Sequence, residues 1–247
     1  LFSKLEAHAR QLAEAHQLRT QFLATISHEL RTPMNSIIGF TEMLVDGIYG
    51  DLTTSQGSRM ERIRDNAYQL LALINDLLDL SNLQAGQLEL HLEPASISDA
   101  IQTAVHALES EFHAKGLTLT YALDDTLPRV AVDPQRLHQV IINLLSNAIK
   151  FTHQGGVTIA CHAIAQSGQR YVQTSVIDTG IGISPAHREI IFDEFRQVDG
   201  SSTRAYGGTG MGLAITKKLV EMMNGSIWVE SELNQGSTFT FLLPAVP

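Results

Sequence analysis

The sequence predicts an α+β protein: an N-terminal helical hairpin that pairs as a dimeric four-helix bundle, followed by an α/β sandwich. Three observations lead there. Apolar residues recur at spacings of three and four up to about residue 85, which is the helical period. Short alternating runs interleaved with helical stretches follow, as in mixed layered folds. The composition is that of a compact chain: 247 residues, 44% hydrophobic and 17% charged, too apolar for a disordered tail. A net charge of -9 argues against a chain whose main partner is nucleic acid. The single cysteine, Cys161, excludes an intrachain disulfide and a cysteine-rich zinc site. It lies in an apolar run and reads as a small core residue. No apolar stretch approaches the roughly 20 residues of a membrane span, and no signal peptide is visible. Because the chain opens on Leu1, it reads as a fragment.

Each element has its own warrant. The first helix carries Leu5, Ala9 and Leu12, then Leu23, Ile26 and Leu30, then Ile37, Thr41 and Leu44. The second shows Ile63, Ala67, Leu70, Ile74, Leu77 and Ser81 as an unbroken heptad seam. A turn-rich connection over residues 46–55 separates them, and Thr53, Thr54 or Ser55 is placed to cap the second helix. Two helices alone cannot bury stripes this long, so the simplest completion is a second copy. Near residue 87 the pattern changes. Residues 88–92 alternate like a strand, residues 97–115 are helical with Ser96 or Ser98 as cap, and residues 117–123 and 129–132 are short strands. Asp133 and Pro134 open a helix, as N-cap and first-turn proline, that runs to about Phe151. Residues 157–165 and 171–177 read as a hairpin. The glycine-rich stretch over residues 178–210 is too long to be a passive connection. A helix over residues 211–223 stops at Asn224 and Gly225. Residues 227–232 and 238–243 form the closing hairpin.

Four stretches carry candidate chemistry. In the first helix, His28 is two residues from both Ile26 and Leu30. That is roughly 200° of rotation, which turns the imidazole away from the apolar seam. Glu29 adjoins it, Thr32 lies one turn on, and Pro33 predicts a bend because its ring crowds the carbonyl of residue 29. An imidazole is a competent nucleophile at neutral pH, and an adjacent carboxylate can take its ring proton; the plain alternative is an exposed helix histidine. On the helix after Pro134, Asn143 and Asn147 share a face with Lys150. Two carboxamides there suit a hard cation such as Mg²⁺, with Lys150 meeting phosphate; the alternative is a solvated polar face. Asp178, Gly180, Gly182 and Ile183 follow a strand. A carboxylate there can accept an exocyclic amine while the glycines admit a flat ring; the alternative is a tight turn. Gly207, Gly208, Thr209, Gly210, Met211, Gly212 and Leu213 precede a helix, whose free N–H groups suit a polyphosphate. The spacing is neither a Walker loop nor a dinucleotide fingerprint.

In this order the four stretches resemble the sensor histidine kinases of two-component systems, over nearly the whole chain from about Arg19 to Pro244. The first resembles that family's phosphoacceptor box, the second its asparagine box, and the third and fourth its glycine boxes. Phe192, Asp193, Glu194, Phe195 and Arg196 resemble its phenylalanine box, and Gly236, Ser237, Thr238 and Phe239 a last glycine motif. The resemblance implies an ATP-binding sandwich of the histidine kinase and gyrase-like type. His28 would be phosphorylated from ATP, Glu29 would take its proton, and Thr32 would place water for phosphohistidine hydrolysis. Asn147 would hold Mg²⁺ with Asn143 assisting, and Lys150 would meet phosphate beside Phe151. Asp178 would bind adenine, with Gly180, Gly182, Ile183 and Thr238 nearby. The backbone over residues 208–213 would wrap the triphosphate, and Arg196 would meet the γ-phosphate. The implied partners are a second copy of the chain, the receiver domain of a response regulator and an upstream sensor domain outside this fragment. Nucleic acid and direct membrane contact are not expected, and the implied location of the fragment is cytoplasmic. Implied boundaries are a signalling linker over residues 1–20, a phosphoacceptor hairpin over 21–86 and a catalytic domain over 87–247. Two alternatives stand beside this reading. A hydrolytic ATPase of related fold needs a carboxylate where Asn143 stands, and an amide cannot act as a base. An inactive dimeric scaffold for a response regulator would keep the fold without turnover.

Overall fold

The computed structural model describes residues 2–166, 168–194, 196 and 210–246, with side chains from residue 22 onward except at residue 24. It divides into two compact units, residues 1–88 and 89–247.

The first unit is a hairpin of two helices, α1 (Phe2–Val45) and α2 (Thr54–Gln84). Helix α1 runs through Pro33 without interruption, so the expected bend leaves no break in the helix. Thr53 caps α2 by a reciprocal arrangement: its hydroxyl accepts the Gln56 N–H, and the Gln56 side chain accepts the Thr53 N–H. The buried contact between the helices keeps part of the expected seam, Thr41, Ala67, Ile74 and Ser81, and departs from the rest. Ser27, Met34, Ile38 and Thr41 of α1 are buried, as are Ala67, Ile74, Leu80 and Ser81 of α2. Of the larger residues expected to line the seam, Ile74 is buried, whereas Ile26 is 39% exposed, Leu30 41%, Ile63 43% and Leu70 43% in the single chain. Small Ser27, Ala67 and Ser81 allow close approach between α1 and α2, and the bulkier stripe is left for another surface.

The second unit is a five-stranded sheet with helices packed against it. Its elements are β1 (Glu93–Ala95), α3 (Ile97–Lys115), β2 (Thr118–Leu123), β3 (Val130–Val132), α4 (Pro134–Phe151), β4 (Gly156–Gln166), β5 (Gln169–Asp178), a single turn α5 (Pro185–Arg188), α6 (Gly212–Met222), β6 (Ser226–Glu232) and β7 (Gly236–Pro244). The strand order is β2-β4-β5-β7-β6, with β2 parallel to β4 and the remaining pairs antiparallel. Strands β1 and β3 pair separately. Residues 88–92, expected as a strand, have no ladder partner. His91 instead donates its N–H to the Asp133 carboxylate at 3.1 Å.

Helix α4 is the spine of this unit. Asp133 caps it by accepting the N–H groups of Gln135 and Arg136 at 3.0 and 3.1 Å. Its apolar flank, including Leu137, Val140, Ile141, Leu144, Leu145 and Ala148, is buried. The helix packs between α3 and α6 and against β5. Lys115, at the end of α3, donates its ammonium to the carbonyls of Ile149 and Lys150 at 2.6 and 3.0 Å, closing the far end of α4. Cys161 is fully buried in β4, where burial pushes its thiol up to about 11 and keeps it protonated and inert.

Candidate functional site

In the first unit, His28, Glu29 and Thr32 are all exposed on α1, while Ser27 next to the histidine is buried. Ser27 turns inward and His28 outward because one residue of helix is about 100° of rotation. Thr32 donates its hydroxyl to the His28 carbonyl at 3.4 Å. Arg31 reaches across the hairpin and donates to the Asn75 side-chain oxygen at 3.0 Å, tying this turn of α1 to α2.

In the second unit, α4 presents Asn143, Asn147, Lys150 and Phe151, all half-buried. Asn143 donates its amide to the Thr216 hydroxyl at 2.7 Å. Its side-chain oxygen lies 2.5 Å from where a Cβ at Gly212 would stand. Thus Gly212 has no side chain because the Asn143 carboxamide fills that space. This contact joins α4 to the start of α6, and nothing in the sequence pattern marked Thr216 for it. Lys150 places its ammonium 5.0 Å from the Phe151 ring centroid, and burial lowers its pKa from the ordinary lysine value.

The loop after β5 is pinned on both sides. Asp178 is 6% exposed and accepts the Gly180 N–H at 2.8 Å. Burial raises its pKa above the ordinary carboxylate value, opposed by hydrogen bonds from the Gly180 and Ser237 N–H groups. The Ile181 N–H donates to the Phe151 carbonyl at 3.2 Å, and the Asn234 N–H donates to the Ile181 carbonyl at 2.7 Å. Gly182 has φ +65°, and a Cβ there would run into the Glu232 carbonyl oxygen. The Ile183 N–H donates to the Ser231 hydroxyl at 2.7 Å.

Register decides which hydroxyl joins Asp178. Ser237 is its direct partner on β7, whereas Thr238 pairs with Ile177. Alternation puts Ser237 on the Asp178 face and Thr238 on the other. The shared face also bears Phe239 and Phe241, and Phe192 meets Phe239 edge to face at 6.4 Å. Within that motif the residue on the Asp178 face is thus Ser237, with Thr238 one position on and facing the other side.

At the start of helix α6 the side chain of the N-cap residue makes no capping hydrogen bond. Met211 is its N-cap residue and Gly210 before it has φ +68°. The N–H groups of Gly212 and Leu213 thus open an N-terminus suited to anionic oxygens. Gly208 and Thr209, with Gly207 and Phe195, lie outside the described residues; Arg196 is exposed. Among the described residues no cluster of three or more His, Cys, Asp or Glu is arranged to hold a metal. An oxygen-ligated cation that keeps phosphate oxygens and water needs fewer protein ligands, and the carboxamides of α4 fit that requirement.

A phosphoacceptor helical hairpin joined to an ATP-binding sandwich is the class that fold and site define. Residues 18–86 match a family described as His Kinase A (phospho-acceptor) domain. Residues 132–247 match one described as Histidine kinase-, DNA gyrase B-, and HSP90-like ATPase. The chain belongs to the sensor histidine kinases, and it carries the two domains of a protein-histidine kinase. It is 42% identical over 240 residues to the signal transduction histidine-protein kinase BarA of Escherichia coli, covering 96% of this chain and 26% of that protein. With the circadian input-output histidine kinase CikA of Synechococcus elongatus it shares 41% identity over 232 residues, 93% of this chain and 30% of that one. The chain thus spans about a quarter to a third of these relatives. Among solved structures, full-length ShkA in complex with AMPPNP superposes with a TM-score of 0.75 at 36% identity, covering 92% of this chain and 46% of that one. No helix among the described residues is long and apolar enough to cross a membrane.

Proposed function

We propose that this chain phosphorylates His28 from ATP and passes the phosphoryl group to an aspartate of a response regulator's receiver domain. The observation that carries the reading is the buried Asp178 carboxylate, held by the Gly180 and Ser237 N–H groups in the same unit as the start of α6. Asp178 accepts the exocyclic amine of adenine, and Gly180 and Gly182 let the backbone approach the ring. The N–H groups at residues 210–213, together with Gly208 and Thr209, hold the phosphates, and Lys150 and Arg196 neutralise them. Asn147, with Asn143, would hold Mg²⁺, which supplies charge neutralisation on the phosphate oxygens.

In the reaction, a ring nitrogen of His28 attacks the γ-phosphorus in line. The bond to the bridging oxygen breaks, ADP leaves, and Glu29 accepts the proton displaced from the ring. Positioning supplies most of the acceleration. Attack of a receiver aspartate on the phosphohistidine then regenerates the imidazole. Thr32, one turn beyond, places water for hydrolysis of the phosphohistidine. Support for a dimer is the apolar stripe left on α1, where Phe22 is 63% exposed alongside Ile26, Leu30 and Ile37. An upstream sensor domain is proposed to act through the N-terminal part of α1.

Incubation with ATP labelled at the γ-phosphate and Mg²⁺ tests the reading. The expected product is a protein-bound phosphate that is acid-labile, base-stable and missing in His28→Ala. Free phosphate without protein label would mark a hydrolase, and no reaction would mark a scaffold.

A further inference from the structure

Three buried polar side chains form a row across the ends of three neighbouring strands. Asp178 on β5 faces Ser237 on β7, and Ser237 faces Ser231 on β6. All three are under 9% exposed: 6%, 7% and 8% in that order. Only one arrangement of protons satisfies every contact in this row at once. Ser231 Oγ lies 2.8 Å from the Gly236 carbonyl oxygen, which can only accept, so in that arrangement the Ser231 proton goes there. Ser231 Oγ also accepts the Ile183 N–H at 2.7 Å. The remaining contact is Ser231 Oγ to Ser237 Oγ at 3.0 Å. With its one proton spent, Ser231 is the acceptor in that pair and Ser237 is the donor. Ser237 is left with lone pairs only. Beside it stands Asp178, which when ionised is also acceptor-only.

We infer that Ser231 is a positioning residue for base selection: by taking the Ser237 proton it makes Ser237 a pure acceptor beside Asp178. Two adjacent acceptors match the two hydrogens of adenine's exocyclic amine, one each. They oppose guanine, which has a carbonyl oxygen at the corresponding ring carbon. Selectivity for ATP over GTP therefore depends on a residue of β6 acting through Ser237. Without Ser231, the Ser237 hydroxyl is free to rotate and donate to that carbonyl. The inference rests on the adenine reading of Asp178 and deepens it.

The test is titration of the full chain with non-hydrolysable ATP and GTP analogues by calorimetry, in the unsubstituted protein, Ser231→Ala, Ser237→Ala and the double variant. Ser231→Ala is expected to lower the ATP-to-GTP affinity ratio about tenfold, one hydrogen bond's worth of discrimination. Ser237→Ala is expected to lower it similarly while leaving the Ser231 bonds to Ile183 and Gly236 in place. This second variant keeps the inference testable if Ser231→Ala unfolds. In the Ser237→Ala background, Ser231→Ala should leave the ratio unchanged, because the conduit is gone. Weakening of both nucleotides by the same factor in Ser231→Ala would mean a structural role only and overturn the inference. So would an unchanged ratio in Ser237→Ala, or a further drop in the double variant. Failure of the unsubstituted chain to bind the ATP analogue would overturn the adenine reading itself, an outcome distinct from the others.

Discussion

Gly182→Ala should loosen the nucleotide loop, and its cost follows from the geometry. Gly182 has φ +65°, and an added Cβ would meet the Glu232 carbonyl oxygen, a backbone atom that cannot swing aside. The left-handed conformation alone costs an alanine about 1–2 kcal/mol. Relieving the overlap means moving the loop off the β6–β7 turn. That movement breaks the Asn234 to Ile181 and Ile183 to Ser231 hydrogen bonds, both 2.7 Å long, at about 1 kcal/mol each. The sum is about 3–4 kcal/mol, which lowers the melting temperature by roughly 10 °C in a domain of this size. Nucleotide affinity falls with it, since Asp178 and Gly180 belong to the same loop. Gly168→Ala is the control: φ there is +81°, but nothing lies within 4 Å of the added atom. Its cost is the conformational part alone, about 1–2 kcal/mol, with nucleotide affinity unchanged. Scanning calorimetry and an ATP-analogue titration on both variants supply the comparison. If Gly182→Ala costs no more than Gly168→Ala, the crowding argument is wrong.

Three further outcomes are expected. Asp133→Ala removes the cap of α4 and the anchor of His91, and should cost about 2 kcal/mol in denaturant melts. Thr216→Val should strip the partner from the Asn143 amide and lower stability by about 1–2 kcal/mol, measured the same way, while Thr216→Ser retains the bond. Asp178 has a raised pKa, so its protonated form is favoured more in the folded chain than in the unfolded one. Its contribution to stability therefore falls as pH rises from the unfolded value through the folded value. Asp178→Asn should accordingly melt higher at neutral pH yet bind the ATP analogue more weakly. In the unsubstituted chain, affinity should drop on acidification at a higher pH than an ordinary carboxylate would give.

Local chemistry was legible where one residue decides the outcome. Asp133 followed by Pro134 marks the start of α4, and Thr53 is one of three adjacent candidate caps that place the start of α2. The α+β class followed from the change of period near residue 87. What depends on long-range pairing was not legible. Residues 88–92 alternate as a strand should, but His91 spends its N–H on the Asp133 carboxylate rather than on a ladder. Thr238 and Ser237 are indistinguishable until the register of β7 against β5 is known. Ile26 and Leu30 carry the apolar period of α1, yet the contact with α2 is made by Ser27, Met34 and Ile38. Ser27 joins Met34 and Ile38 there as a small residue, which a hydrophobicity pattern cannot mark. Thr216 and Ser231 were missed because a buried hydroxyl has no sequence signature; only a cross-element contact reveals it.

The most direct measurement is to locate the phosphate. After incubation with ATP and Mg²⁺, tryptic digestion at mildly alkaline pH frees a peptide covering residues 20–31, in which His28 is the only histidine. Fragmentation that preserves the phosphoramidate should place the added group on His28, with the yield lost in Asp178→Ala. Label on any other residue, or unchanged yield in Asp178→Ala, would contradict the account.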